Sequence, residues 1–389
     1  MHYDFDKPTL RRGTGSYKWD EAPADDILPL WVADMDFQTA PCIIDALRHR
    51  VEHGIFGYTL VPDSYYEAVT SWFARRHAWH IQREWIEYTS GVVPALSATI
   101  KALTKPGDNV LVQTPVYNCF FSSIRNNGCN IVESRLVRTA DSYVMDYDDL
   151  ERKAADPHTA VMVLCNPHNP AGRVWTPGEL LRLNDICMRH GVRVVSDEIH
   201  CELVMPGHRY VPFASLSQRC LANSVTLCSP SKAFNIAGLQ IANIVCSDAD
   251  VLRSINRAIN INEVCDVNPF GVVALQAAYN ECEEWLGQLV AYLHANYTML
   301  CSFCAEHMPQ WRITRLEGTY LVWVDITADG MTSDELTAEL TDKARVMVNS
   351  GTMYGREAGE GFIRINIACQ RARLGEALRR IAAYYAARR

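Results

Sequence analysis

No uninterrupted apolar run approaches the ~20 residues that a membrane-crossing helix needs. The first ten residues, Met1 to Leu10, lack the apolar core of a secretory signal. No stretch is rich in both Lys/Arg and aromatics, and the net charge is −8, so nothing supports a nucleic-acid partner or a membrane partner. Repeats and low-complexity tracts are absent, which excludes solenoids and long disordered linkers. Zinc spacing is also missing: Cys301 and Cys304 form one C-x-x-C with no second pair, and they read as packing. No metal is expected. The remaining cysteines are scattered, and Cys165, Cys228 and Cys246 lie inside apolar runs. Free buried thiols are expected rather than disulfides, which mark small secreted chains. Together these absences predict a cytoplasmic location.

What is present is a globular mixture, 48% apolar and 21% charged over 389 residues, enough for more than one domain. Residues 1–40 read as an arm in which glycines, prolines and short aromatic patches alternate. Its Gly13-Thr14-Gly15 lacks the third glycine of a dinucleotide motif and has no strand before it. The piece from Leu28 to Phe37 is extended and apolar and ends in acids, and Pro41 then opens a helix to about His53. Gly54 to Tyr58 is a Gly-rich turn with two aromatics. Residues 64–79 predict an amphipathic helix with Tyr65, Val69, Trp72 and Phe73 on one side.

From there strand and helix alternate. The strand-like runs are 109–113, 130–134, 160–165, 192–196, 224–228 and 242–246, with helices such as Pro177 to His190 between most of them. This pattern predicts an α/β fold with a mostly parallel sheet covered by helices over residues 41–282. After Cys282 a long helix to His307, then strands near 311–316, 319–325, 344–349 and 361–367, predict a smaller α+β domain over 283–389.

Parallel sheets bind ligands at the carboxyl ends of their strands. Five motifs fall on that rim: Gly91-Val92-Val93 at a helix start, Thr114 to Tyr117, Asn166 to Gly172, Ser196 to His200, and Ser229-Pro230-Ser231-Lys232. Lys232 can form a Schiff base with an aldehyde, and the flanking serines can bond a phosphate. The set suits pyridoxal phosphate. Asp197 is placed to keep the pyridinium protonated, Tyr117 to stack on the ring and Asn169 to donate to the phenolic oxygen. Val92, Val93, Ser229 and Ser231 serve the phosphate. Arg364 lies in an otherwise apolar strand, which leaves two readings: a buried ion pair or a clamp on a carboxylate.

With these residues assembled, the chain resembles the fold-type-I pyridoxal phosphate enzymes of the class I/II aminotransferase superfamily. Within it, the chain is similar to the cystathionine β-lyase, or C–S lyase, branch of the MalY/PatB type. The discriminating stretches are Trp31 to Phe37, Gly54 to Tyr58, Ser196 to His200 and Asn235 to Gln240. The resemblance implies that Lys232 anchors the cofactor and shuttles the proton, and that Arg364 binds the substrate α-carboxylate. It implies that Tyr58 reaches the cofactor phosphate of the neighbouring subunit in a homodimer. His200 stands where many transaminases carry a tyrosine, and Gln240 where many carry an arginine. Asn118 follows Tyr117 where some lyases have a second tyrosine. The implied activity is α,β-elimination of cystathionine or related cysteine S-conjugates to thiol, pyruvate and ammonia. An aminotransferase of the same fold is the first alternative. A pyridoxal-phosphate-binding regulator of a transcription factor is the second.

Overall fold

The computed structural model describes residues 2–261, 263 and 266–388. A seven-stranded sheet dominates. Its strand order is Ile86–Thr89, Ala242–Val245, Ser224–Cys228, Arg193–Asp197, Thr159–Cys165, Asn109–Thr114, Asn130–Arg135. All strands run parallel except Ala242–Val245, which is antiparallel to both neighbours. Six of these strands match the sequence reading to within one or two residues. The edge strand Ile86–Thr89 was not anticipated, because four residues of mixed polarity, Ile-Glu-Tyr-Thr, carry too short a period to read.

Alternation along each strand splits the core between two faces. Val110 and Val112 pack with Val161, Val163 and Val195 against the helices Val92–Leu103, Asn118–Asn126 and Ala249–Asn260. Leu111, Met162, Leu164 and Val194 face the opposite layer, where helices Tyr147–Ala154 and Pro177–Arg189 lie. The second of these helices begins with a capping box between Thr176 and Glu179 and has Pro177 at its first position.

A four-stranded antiparallel sheet follows, in the order Arg312–Ile313, Leu321–Asp325, Phe362–Asn366, Asn349–Ser350. The helix Glu283–His307 buries Leu286, Leu289, Leu293 and Leu300, a spacing of three, four and seven that keeps one face inward. It packs on the final helix, Arg371–Arg388. The predicted strand at 311–316 is cut to two residues, since Glu317 to Thr319 turn away to bond Gly172 and Leu203 of the larger unit.

Near the chain start, Leu28–Pro29 pairs in parallel with Val346–Met347. The segment is pinned by Asp36, whose fully buried carboxylate accepts from Arg11 Nη1 (2.8 Å), Trp19 Nε1 (2.9 Å), Lys18 Nζ (3.3 Å) and Arg373 Nη1 (3.0 Å).

One expectation fails. Cys42 and Cys282 are joined in a disulfide, where the sequence predicts free thiols. The partners are 240 residues apart, and only the packing of helix Pro41–His53 on helix Pro269–Glu281 brings them together. Among the described residues, eleven other cysteines are free, including Cys165, Cys228, Cys246, Cys301 and Cys304. Among the described residues, no helix is long and apolar enough to cross a membrane.

Candidate active site

The C-terminal ends of four adjacent parallel strands open onto a cavity of about 180 Å³. Gly91, Val92, Val93, Tyr117, Asn169, Asp197, His200, Ser231 and Lys232 line it, together with Ala33, Cys165 and Ile199. Ser229 stands one layer behind. Its hydroxyl lies 2.7 Å from Ser231 Oγ and accepts from the Ser231 amide (3.1 Å). Arg364 reaches the cavity from the smaller sheet, where its Nη1 donates to Asn169 Oδ1 (3.2 Å).

Local sequence explains these placements. Asp197 closes its strand beside Cys165, its register partner, and accepts the Ile199 amide at 3.1 Å. The turn beyond it is held by the next carboxylate, Glu198, which accepts from Ser196 Oγ (2.7 Å), the Phe213 amide (3.0 Å) and the Tyr210 hydroxyl. That turn points His200 inward. Gly91, at φ +157°, starts the helix Val92–Leu103 and leaves the amides of Val92 and Val93 unpaired at the cavity edge.

Electrostatics set the site apart. Burial raises the Asp197 carboxyl to about 7, since only one backbone donor and Lys232 oppose the desolvation. Burial also lowers the Lys232 amine to about 8, with Arg364 pushing the same way and Asp34 and Asp197 against it. His200 is held neutral, its pKa driven well down by burial and then by the charges of Lys232 and Arg364. Burial raises the Tyr117 hydroxyl well above its ordinary value. Of eleven buried side-chain polar atoms without a hydrogen-bond partner among the described residues, His200 Nδ1 and Arg364 Nε belong to this site.

Tyr58 is elsewhere. Its side chain is 98% exposed on the turn after Gly54, beside exposed Ile55, Phe56 and Leu60. Gln240 sits at φ +52° after a short turn and does not line the cavity. Asn118 opens the helix behind Tyr117.

The chain belongs to the class I and II aminotransferase family, whose model matches residues 25–381. Within that family it falls in the MalY/PatB branch. It is 42% identical to cystathionine beta-lyase PatB of Bacillus subtilis over 384 residues, 98% of this chain and 99% of the relative. It is 34% identical to protein MalY of Escherichia coli, covering 96% of each. Its fold superposes on cystalysin from Treponema denticola, a crystal structure containing a pyridoxal 5'-phosphate cofactor, with a TM-score of 0.97. The identity is 33% over 100% of both chains.

The residues present fit that cofactor. Asp197 is a buried carboxyl with no cation in hydrogen-bond contact among the described residues, and a protonated pyridine nitrogen there would favour its charged form. The unpaired amides at Val92 and Val93 suit a phosphate. His200, which lines the cavity, and Arg364, bonded to the lining residue Asn169, each keep one buried nitrogen without a partner among the described residues, free for a polar ligand group.

Sequence reasoning missed one wall entirely. The Ala33 carbonyl accepts from Lys232 Nζ at 2.7 Å and from the Tyr320 hydroxyl at 2.9 Å. The Trp31 carbonyl accepts from Arg364 Nη2 at 2.8 Å. Backbone carbonyls leave no mark in a sequence. The only available signal was the extended stretch around Trp31 to Phe37.

Proposed function

We propose that this chain is a pyridoxal-phosphate-dependent carbon–sulfur β-lyase acting on cystathionine or related cysteine S-conjugates. The observation that carries it is Lys232, an amine lowered to about 8 with the Arg364 charge contributing, in one cavity with Asp197, in a chain 42% identical to a cystathionine beta-lyase. When bound, the cofactor supplies an aldehyde and a cationic ring that withdraws electrons from the amino acid's α-carbon.

The protein's residues do the rest. Asp197 holds the ring nitrogen protonated. Tyr117 stacks on the ring, and Asn169 and His200 bond its polar edge. Gly91, Val92, Val93, Ser229 and Ser231 hold the phosphate. Arg364 binds the α-carboxylate, choosing the clamp over the ion pair: no carboxylate partners it among the described residues, and its hydrogen bonds go to Asn169 and the Trp31 carbonyl. Lys232 Nζ takes the α-proton; with its pKa near 8, a useful share of it is neutral at physiological pH. The β-thiolate then departs, and hydrolysis yields pyruvate and ammonia. The working form is a cytoplasmic homodimer in which Tyr58 of each subunit serves the neighbour's phosphate; its exposure on an apolar turn supports this.

Incubation with cystathionine and no keto acid tests the reading. Pyruvate should appear in step with free homocysteine. Efficient transfer to a keto acid with no thiol from any β-thio amino acid would replace the lyase by the aminotransferase alternative.

A further inference from the structure

The segment Trp31–Met35 runs between the two sheets, and each of its five carbonyls accepts from a side chain. Trp31 O takes Arg364 Nη2 (2.8 Å) and Asn349 Nδ2 (3.0 Å). Val32 O and Asp34 O both take Asn366 Nδ2, at 2.5 and 2.7 Å. Ala33 O takes Lys232 Nζ and the Tyr320 hydroxyl. Met35 O takes Asn235 Nδ2 and Arg11 Nη1, each at 3.0 Å. Irregular backbone has no ladder to hold it, so these side chains set its position.

Asn366 is the least replaceable of them. It is fully buried and lies two residues from Arg364 on one strand, hence on the same face. Its Oδ1 accepts the Ala368 amide at 2.7 Å, which fixes the amide rotation and turns Nδ2 toward the segment. The two bonds from Nδ2 bracket Ala33, whose carbonyl is the hydrogen-bond acceptor of Lys232. We propose that Asn366 is a positioning residue for Lys232, acting through residues 32–34 to hold the Ala33 carbonyl against the amine. This rests on Lys232 being the reacting amine of the proposed lyase.

The consequence is directional. A carbonyl that accepts from an ammonium favours the charged form, so withdrawing it lowers the amine's pKa. The other groups facing Lys232 are Arg364 from the smaller sheet, Asp34 from the segment itself, Asp197 at the end of its strand and His200 beyond it, and Cys119 on the helix behind Tyr117. An Asn366 variant replaces none of these residues; of them only Asp34 lies on the segment that Asn366 holds, and its withdrawal would lower the amine's pKa in the same direction.

The full chain, freed of cofactor, is reductively methylated across pH, and the rate at Lys232 is read by mass spectrometry. The loaded enzyme is assayed in parallel for its pH–rate profile. Asn366→Leu and Asn366→Ala should lower the Lys232 midpoint below the parent's. A midpoint lower by half a pH unit makes labelling at pH 7 about three times faster. Turnover should fall about tenfold, with its acid limb moved the same way. Tyr320→Phe, which leaves the Ala33 carbonyl to Lys232 alone, should raise the midpoint. A variant that merely loosened the fold would admit water and return Lys232 toward the ordinary ~10.4. An unchanged or raised midpoint in the Asn366 variants therefore overturns the proposal. If the parent's cofactor is found on another lysine, the lyase reading fails, while the labelling result still decides what Asn366 does to Lys232.

Discussion

Arg364 Nη1 donates to Asn169 Oδ1 at 3.2 Å, across 195 residues of sequence and between the two sheets. The bond ties the residue assigned to the substrate carboxylate to the one assigned to the cofactor ring. It also settles the amide's orientation: with Oδ1 taken by the guanidinium, Nδ2 is the end left for a ring oxygen.

Lys232 should carry the cofactor. Borohydride reduction followed by peptide mass spectrometry should place it there. Lys232→Ala should lower turnover by about 10⁴-fold or more, because the substitution removes both the anchor and the proton carrier.

Asp197 opposes stability and serves activity. In the cofactor-free chain its folded pKa of about 7 lies above the unfolded value of ~3.9, so its burial weakens the fold progressively as pH rises from about 4 to 7. The cost above pH 7 is on the order of 4 kcal/mol at most. Thermal melts should show cofactor-free Asp197→Asn more stable than the parent at pH 8 and no different at pH 4. Loaded with cofactor, the same variant should lose about a hundredfold or more in turnover, since a few kcal/mol of support for the ring cation goes with the charge. A parent melt that stays flat between pH 4 and 7 would contradict the assignment.

Tyr58 is testable by complementation. A Tyr58→Phe chain mixed with a Lys232→Ala chain should form heterodimers with one site that draws Lys232 and Tyr58 from different subunits. Recovered activity in verified heterodimers, when each parent is impaired, is the expected result. Its absence would mean that Tyr58 acts within its own chain or only packs.

Asp36 should hold the N-terminal segment. Its carboxylate faces Arg11, Lys18 and Arg373 with no solvent exposure, and Lys18 is itself fully buried. Removing one partner of a buried ionic cluster typically costs about 3–5 kcal/mol. Asp36→Ala should therefore speed proteolysis within residues 2–35 before the rest of the chain and lower the melting temperature. Equal protection of that segment in parent and variant would show that the cluster does not hold it.

Residue types and spacing alone determined six of the seven strands of the large sheet, the helix that starts at Gly91, the convergence of Asn169, Asp197, Ser231 and Lys232 on one rim, and the kind of cofactor they suit. These follow from period-two and period-3.6 patterning and from the rule that parallel strands present their carboxyl ends to a ligand. They are local in origin, so a sequence can carry them. Tertiary structure decided what depends on distant partners. That Arg364 has no carboxylate partner among the described residues, which takes support from the ion-pair reading, depends on which groups surround it. The Cys42–Cys282 disulfide required two helices to pack. The wall made by Trp31 to Met35 is built from carbonyls that every residue has, and its use depends on Asn366, Tyr320 and Lys232 arriving from elsewhere in the chain. Side-chain chemistry is written in the sequence; the use of a backbone oxygen depends on what folding brings beside it.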